Sequence, residues 1–239
     1  MKKKNDKWQK KLMETLVTKK VSLVLCTIMD TKERILHKAN DLYMRYGIRS
    51  VTMDEIALQC GVSKKTIYQF FADKDELVDA VVEEKILYTE GACAIDSASA
   101  ANAVEEIFKT IDMLEEVFKN MNPSVVFDLQ KYHNDAFMKM EKHKSEFVYN
   151  MVKSNLERGI EEGLYREDIN TEILSRYRIE SMMLPFNPEF YAKTKNSLLD
   201  VETEILLHYL FGIANPKGYK LILKYQQERT KKSTSNAKK

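Results

Sequence analysis

The stretch Val51-Thr52-Met53-Asp54-Glu55-Ile56-Ala57-Leu58-Gln59-Cys60-Gly61-Val62-Ser63-Lys64-Lys65-Thr66-Ile67-Tyr68-Gln69-Phe70-Phe71 decides the fold. Thr52 and Glu55 stand three apart, as an N-cap and its reciprocal partner do, so a helix is expected from 53. Ile56, Ala57 and Cys60 form its inward face and Gly61 its stop, which predicts a short helix over about 53–59. Ser63 can cap a second short helix, with Ile67, Phe70 and Phe71 as its apolar side. Between the two lie only Cys60, Gly61, Val62 and Ser63, the length and composition of a helix-turn-helix connection in which glycine accepts positive φ. The second helix then exposes Lys64, Lys65, Thr66, Tyr68 and Gln69. Lysine donates to guanine or phosphate, glutamine pairs with adenine, and the threonine methyl meets the thymine methyl. The helix starts near Thr52, Ser63 and Asp73 offer backbone N–H groups suited to phosphate, and Lys74 would add a cation beside one of them.

Upstream, Asp30 and Glu33 repeat the capping spacing ahead of an apolar stripe, Ile35, Leu36, Ala39, Leu42, Tyr43 and Tyr46, which predicts a helix over 31–46 ending at Gly47. Asp73 and Glu76 start a fourth helix carrying Leu77, Val78, Val81, Val82 and Ile86. From Ala94 to Ala103 the chain loosens into small residues, the expected seam between two domains. Further helical patterns run from about 102 to Asn122, through Val126, Phe127 and Leu129, from about 134 to 162, from about 170 to 184, and over about 198–212 and 216–228. Seven glycines and four prolines in 239 residues are too few for turn-rich β architectures, and strand alternation is missing. The expected fold class is all-α: a helix-turn-helix domain over 30–93, a helical bundle over 94–229, and a basic disordered tail over 230–239.

Net charge is +2, but its distribution is uneven. Residues 31–72 hold seven basic side chains against four acidic, whereas 73–228 hold eighteen against twenty-nine. A basic module on an acidic body suits a protein that docks one end on phosphate. Residues 1–29 form a basic extension of open status: lysine-rich, then apolar through Val21-Ser22-Leu23-Val24-Leu25-Cys26-Thr27-Ile28. An over-long start with Met29 as initiator, a DNA-contacting arm and an export signal are the three readings, the last lacking a cleavage site. Cys26, Cys60 and Cys93 are an odd set without CxxC spacing, which fits a reducing, cytoplasmic setting, and no apolar run is long enough to span a bilayer.

Residues 31–87 resemble the DNA-binding domain of the TetR family of transcriptional regulators, on Val51-Thr52-Met53-Asp54-Glu55-Ile56-Ala57, Gly61-Val62-Ser63, Thr66-Ile67-Tyr68-Gln69-Phe70-Phe71 and Lys74-Asp75-Glu76-Leu77. Gln69 stands where many members carry His or Tyr, leaving base preference open. The resemblance implies DNA-contacting roles for Thr52, for Ser63, Lys64, Lys65, Thr66, Tyr68 and Gln69, and for Lys74. It also implies a variable helical body for ligand binding and dimerisation, which Gly159-Ile160-Glu161-Glu162-Gly163-Leu164-Tyr165-Arg166 matches weakly.

In that body Phe108, Phe118, Phe127, Tyr132, Phe147 and Met151 are candidate walls of a small-molecule site, and Leu199, Leu206, Tyr209 and Leu210 candidate dimer contacts. Catalysis is not expected: the four histidines are scattered, Glu204 with His208 lacks a second Glu-x-x-His, and HExxH, GxGxxG, Walker A and GxSxG patterns are absent. No cofactor or metal is expected. The expected function is a homodimeric, sequence-specific regulator, a repressor released from a palindromic operator by an unidentified small-molecule ligand, with no membrane partner. The competing reading is an architectural or nucleoid-organising DNA binder with no inducer; a third is a helical interaction module with a vestigial DNA surface.

Overall fold

The computed structural model describes residues 31–236 except 120, 192 and 194. Helix α1 (31–46) leads into α2 (Met53–Cys60), α3 (Lys64–Tyr68) and the long α4 (Lys74–Ser99). The body follows as α5 (Ala103–Phe118), α6 (Ser124–Tyr132), α7 (Asn134–His143), a π-helical turn (Lys144–Val148), α8 (Tyr149–Glu161) and α9 (Thr171–Ser181). A 3-10 turn (Leu184–Phe186) precedes α10 (Pro188–Tyr191), α11 (Leu198–Ile213) and α12 (Pro216–Asn236). Among the described residues, extended pairing is limited to a single bridge between Tyr165 and Ala214, so the fold is all-α.

The local signals act where they were read. Thr52 Oγ1 accepts from the Glu55 N–H at 3.2 Å and Glu55 Oε2 takes the Thr52 N–H at 2.7 Å, a closed capping box. Asp73 Oδ1 accepts from Glu76 N–H at 2.9 Å and Asn102 Oδ1 from Glu105 N–H at 2.9 Å, starting α4 and α5. The capping pair expected at Asp30 and the extension over 1–29 lie outside the described residues.

Three expectations change. Helix α4 continues through Gly91 to Ser99, so the loosening expected from Ala94 is helical and the 93/94 boundary falls inside a helix. Alanine and serine there interrupt the apolar stripe without interrupting the backbone. The long pattern over 134–162 divides into α7 and α8 around the π turn. The tail expected to be disordered from 230 is, through Asn236, the end of α12; nothing between Tyr219 and Asn236 is Gly or Pro, so no residue forces a stop.

Two apolar cores form. One joins Ile35, Ala39, Tyr43, Ile56, Ile67 and Leu77 of the first four helices, and Phe71 of the α3–α4 connection, to Val125, Leu129 and Ala136 of α6 and α7. The other gathers Val104, Phe108, Ile111, Leu156, Tyr165, Leu206, Leu210, Ile213 and Ile222 from α5, α8, α11, α12 and the loop after α8. Head and body are therefore stitched at α6. The Arg49 N–H donates to Asp128 Oδ2 at 2.9 Å and the Asn122 N–H to the Met44 carbonyl at 2.6 Å. Gly47, at φ 83°, packs so closely that a Cβ there would lie 2.6 Å from Ser124 Oγ.

Candidate nucleic-acid interface and internal cavity

The turn between α2 and α3 is built as its residues dictate. Gly61 adopts φ 65°, ψ 32°, and the N–H groups of Gly61 and Val62 close α2 onto the carbonyls of Leu58 and Ala57 at 3.1 and 3.0 Å. Ser63 Oγ accepts from Thr66 N–H at 3.0 Å, starting α3, while Ile67 is fully buried and locks that helix to the head. The opposite side shows Lys64, Lys65, Tyr68 and Gln69 to solvent, Tyr68 at 45 % exposure, with Ser63 at its start and Thr66 half-buried. Thr52 is exposed at the start of α2. Thus Thr52, Ser63, Lys64, Lys65, Thr66, Tyr68 and Gln69 all lie on the packed α2–α3 pair, each at least partly open to solvent.

Their charges are unequal. Lys64 Nζ pairs with Asp54 Oδ2 at 2.8 Å, which holds the ammonium above its ordinary range. Lys65 is exposed. Lys74 departs from the expectation of a phosphate-facing cation: its Nζ donates to the carbonyls of Ile48 and Val51, each at 2.6 Å, and lies 6.0 Å from the Tyr43 ring centre. Burial lowers its pKa. Its ammonium ties the α1–α2 loop to α4, a role invisible to sequence spacing because its partners lie 23 and 26 residues away.

Between head and body runs a cavity of about 330 Å³, within the range of small-molecule sites. Its wall includes Tyr43 and Met44 of α1, Val81 and Ile86 of α4, Met113 and Val117 of α5, Leu129 of α6, Val152 of α8 and Met182 after α9. Of the six candidate ligand residues, Phe118, Phe147 and Met151 line it. The other three do not. Phe108 packs on Tyr225 in the body core at 5.4 Å between ring centres. Phe127 is 41 % exposed, its ring beside Lys131 Nζ at 5.4 Å, and Tyr132 lies under the Arg49 guanidinium at 5.3 Å on the outer surface. Helical periodicity gave each an apolar face without saying which neighbour it meets.

The candidate dimer residues also separate. Leu206, Tyr209 and Leu210 are buried within the subunit, Leu206 and Tyr209 on the cavity wall, and only Leu199 remains half-exposed. The reason is that α11 is apolar on most of its circumference and turns its larger side chains inward. An exposed apolar patch lies one helix on: Tyr219 and Leu223 of α12 are 48 % and 38 % exposed, beside Phe211 and the open Gly212 of α11.

Among the described residues no group of His, Cys, Asp and Glu could hold a metal ion, and no helix is long and apolar enough to cross a membrane.

Residues 35–81 match the family model described as "Bacterial regulatory proteins, tetR family". The chain is 27 % identical over 180 residues to the HTH-type transcriptional regulator YvaF of Bacillus subtilis, covering 74 % of this chain and 93 % of that one. It is 24 % identical over 152 residues to the HTH-type transcriptional repressor KstR2 of Mycobacterium tuberculosis, covering 60 % and 73 %. The fold is similar to that of the transcriptional regulator FadR from Bacillus subtilis in complex with stearoyl-CoA, with a TM-score of 0.56 at 20 % identity over 76 % of this chain and 98 % of that one.

Proposed function

We propose that the chain, whose residues 35–81 match the model of the TetR family of bacterial regulators, is a homodimeric DNA-binding repressor of that kind whose hold on a palindromic operator is loosened by a small molecule in the internal cavity. The observation that carries the DNA half is the exposed face of α3, held by buried Ile67 and presented after the left-handed Gly61 turn. Lys65, Tyr68 and Gln69 are assigned to the groove and its flanking phosphates, with Thr52 and Ser63 at the helix starts. Lys64 contributes a charge shared with Asp54. A dimer sets two such helices about 34–36 Å apart, one turn of DNA. The subunit contact is assigned to the outer face around Phe211, Gly212, Tyr219 and Leu223. Acting on DNA, the protein works in the cytoplasm, by binding rather than catalysis.

The ligand half rests on the cavity's position. It is lined by α1 and α4 of the head as well as by the body, so an occupant touches both. FadR's complex with stearoyl-CoA is a precedent for a small molecule in this fold. The occupant lowers operator affinity only by its preference for the DNA-incompetent spacing of the two heads.

Selection of genomic DNA fragments on the purified dimer at about 0.15 M salt tests this. Enrichment of one short palindrome is expected. Broad enrichment without a shared site would instead make the protein an architectural binder, and no enrichment would remove the DNA interface.

A further inference from the structure

The cavity wall is mostly apolar, which makes its few polar atoms informative. Most are engaged. The Glu106 carboxylate accepts from Asn155 Nδ2 at 2.9 Å and Arg158 Nη1 at 3.3 Å; His143 Nδ1 lies 3.1 Å from Glu90, and Lys144 Nζ 2.9 Å from Glu141. Three lining oxygens are not. The hydroxyls of Tyr43 and Tyr209 and Oε2 of Glu202 are buried and have no hydrogen-bond partner among the described residues. Glu202 is 2 % exposed.

Glu202 defines the chemistry of this pole. A carboxylate oxygen accepts and does not donate, so Oε2 asks for a donor. Its own cation is already committed: Arg178 Nη2 sits 2.5 Å from Oε1, and Arg178 Nη1 leans toward Ser181 Oγ at 3.5 Å. An anionic ligand would place a second negative charge beside Glu202 with Arg178 already neutralised. Tyr209, seven residues further along the same face of α11, flanks the pole, and Tyr43 marks the head end of the cavity on α1.

Building on the ligand-responsive reading above, we propose that the cavity binds an apolar molecule bearing a hydroxyl or amine donor and no anionic group, with the donor seated on Glu202 Oε2. A charge-assisted bond in a water-poor site discriminates strongly, because the wrong head group leaves a buried acceptor unmade.

Decan-1-ol, decylamine and decanoate share a tail and differ in the head group. Their affinities for the purified dimer, without DNA and below their aggregation limits, are measured by calorimetry and thermal shift. The alcohol and amine are expected to bind at least about tenfold tighter than decanoate. In Glu202→Gln, Arg178 keeps the amide oxygen and the NH2 turns to the cavity, replacing an acceptor with a donor, so the order reverses in favour of decanoate. If that variant fails to fold, the wild-type ranking decides alone. Decanoate binding as tightly as the amine overturns the proposal, as does saturable binding of none of the three. Operator release by a bound probe is a separate measurement: binding in the expected order without release supports this assignment and removes the ligand-responsive reading.

Discussion

Lys65 and Lys74 are both cations of the head, yet their surroundings give them different work. Lys65 is exposed on α3, whereas Lys74 holds the Ile48 and Val51 carbonyls. Lys65→Ala should weaken operator binding and lower the slope of log affinity against log salt by about 1, as loss of a phosphate contact does. Lys74→Met should weaken binding by loosening the α1–α2 loop while leaving that slope unchanged. Equal slopes in the two variants would show that the assignment of roles is wrong. The two capping carboxylates make a second residue-scale prediction. Glu55 is held below the ordinary carboxylate range by the Thr52 backbone N–H and then its hydroxyl, and Asp200 by the Ser197 hydroxyl and then its backbone N–H. Their depressed folded values mean that the stability they contribute is present above about pH 4 and lost as pH falls through the folded value. In Glu55→Gln and Asp200→Asn the melting temperature should therefore be lower at neutral pH, fall less steeply on acidification, and converge with the parent in strong acid. Calorimetry across that range checks it.

At the scale of elements, α11 and α12 carry the assignment of the subunit contact. Leu206 is 1 % exposed in the body core, so Leu206→Ala should cost about 2–5 kcal/mol in stability and leave the oligomeric state alone. Leu223→Glu should do the reverse: little loss of subunit stability, and a shift to monomer in analytical ultracentrifugation. A monomer from the first variant and a dimer from the second would move the interface. The same pair shows where sequence reading reaches its limit. Helices α2, α3 and α4 were legible because their signals are local: a capping box at Thr52, an N-cap at Ser63, a left-handed Gly61 and a second N-cap at Asp73 all act within a few residues. In α11 the exposed polar stripe of Asp200, Glu204 and His208 is narrow and is flanked on both sides by apolar residues, Leu199, Ile205, Leu207 and Phe211 as well as the buried Leu198, Val201, Leu206, Tyr209, Leu210 and Ile213, so periodicity alone does not say which apolar side meets the core and which a partner. Phe118, Phe147 and Met151 reached the cavity and Phe108 did not for the same reason, since all sit on apolar faces and only tertiary packing sorts them. Gly159 opens the segment that resembles the family's body, but its purpose is spatial: the Tyr165 ring lies where a Cβ would be, 2.0 Å from its nearest carbon. Gly159→Ala should cost about 1–3 kcal/mol through overpacking.

Taken whole, the molecule has a head whose core is completed by α6 and α7 of the body, rather than two domains on a flexible joint. Val125, Leu129 and Ala136 complete the head's core, and the carboxylate of Asp128, 5 % exposed, fastens the α1–α2 loop through Arg49. A fragment ending at residue 100 should therefore not fold, giving weak helical circular dichroism and a collapsed amide spectrum, although it contains every residue assigned to DNA. Thermal unfolding of the full chain should follow one transition by fluorescence and by circular dichroism alike. Two separated transitions would mean that the contacts of α6 and α7 with the head contribute little.

Asp128 also sets a rule for anyone grafting sensors. A hybrid regulator with exchanged DNA specificity could be cut through α4, the long helix that leads from head to body. In this chain such a cut would strand Gly47 and Arg49 opposite a foreign side chain where Ser124 and Asp128 should stand. A transplant of this reading head would have to take residues 122–136 with it, so the unit of exchange is discontinuous in sequence and continuous only in space.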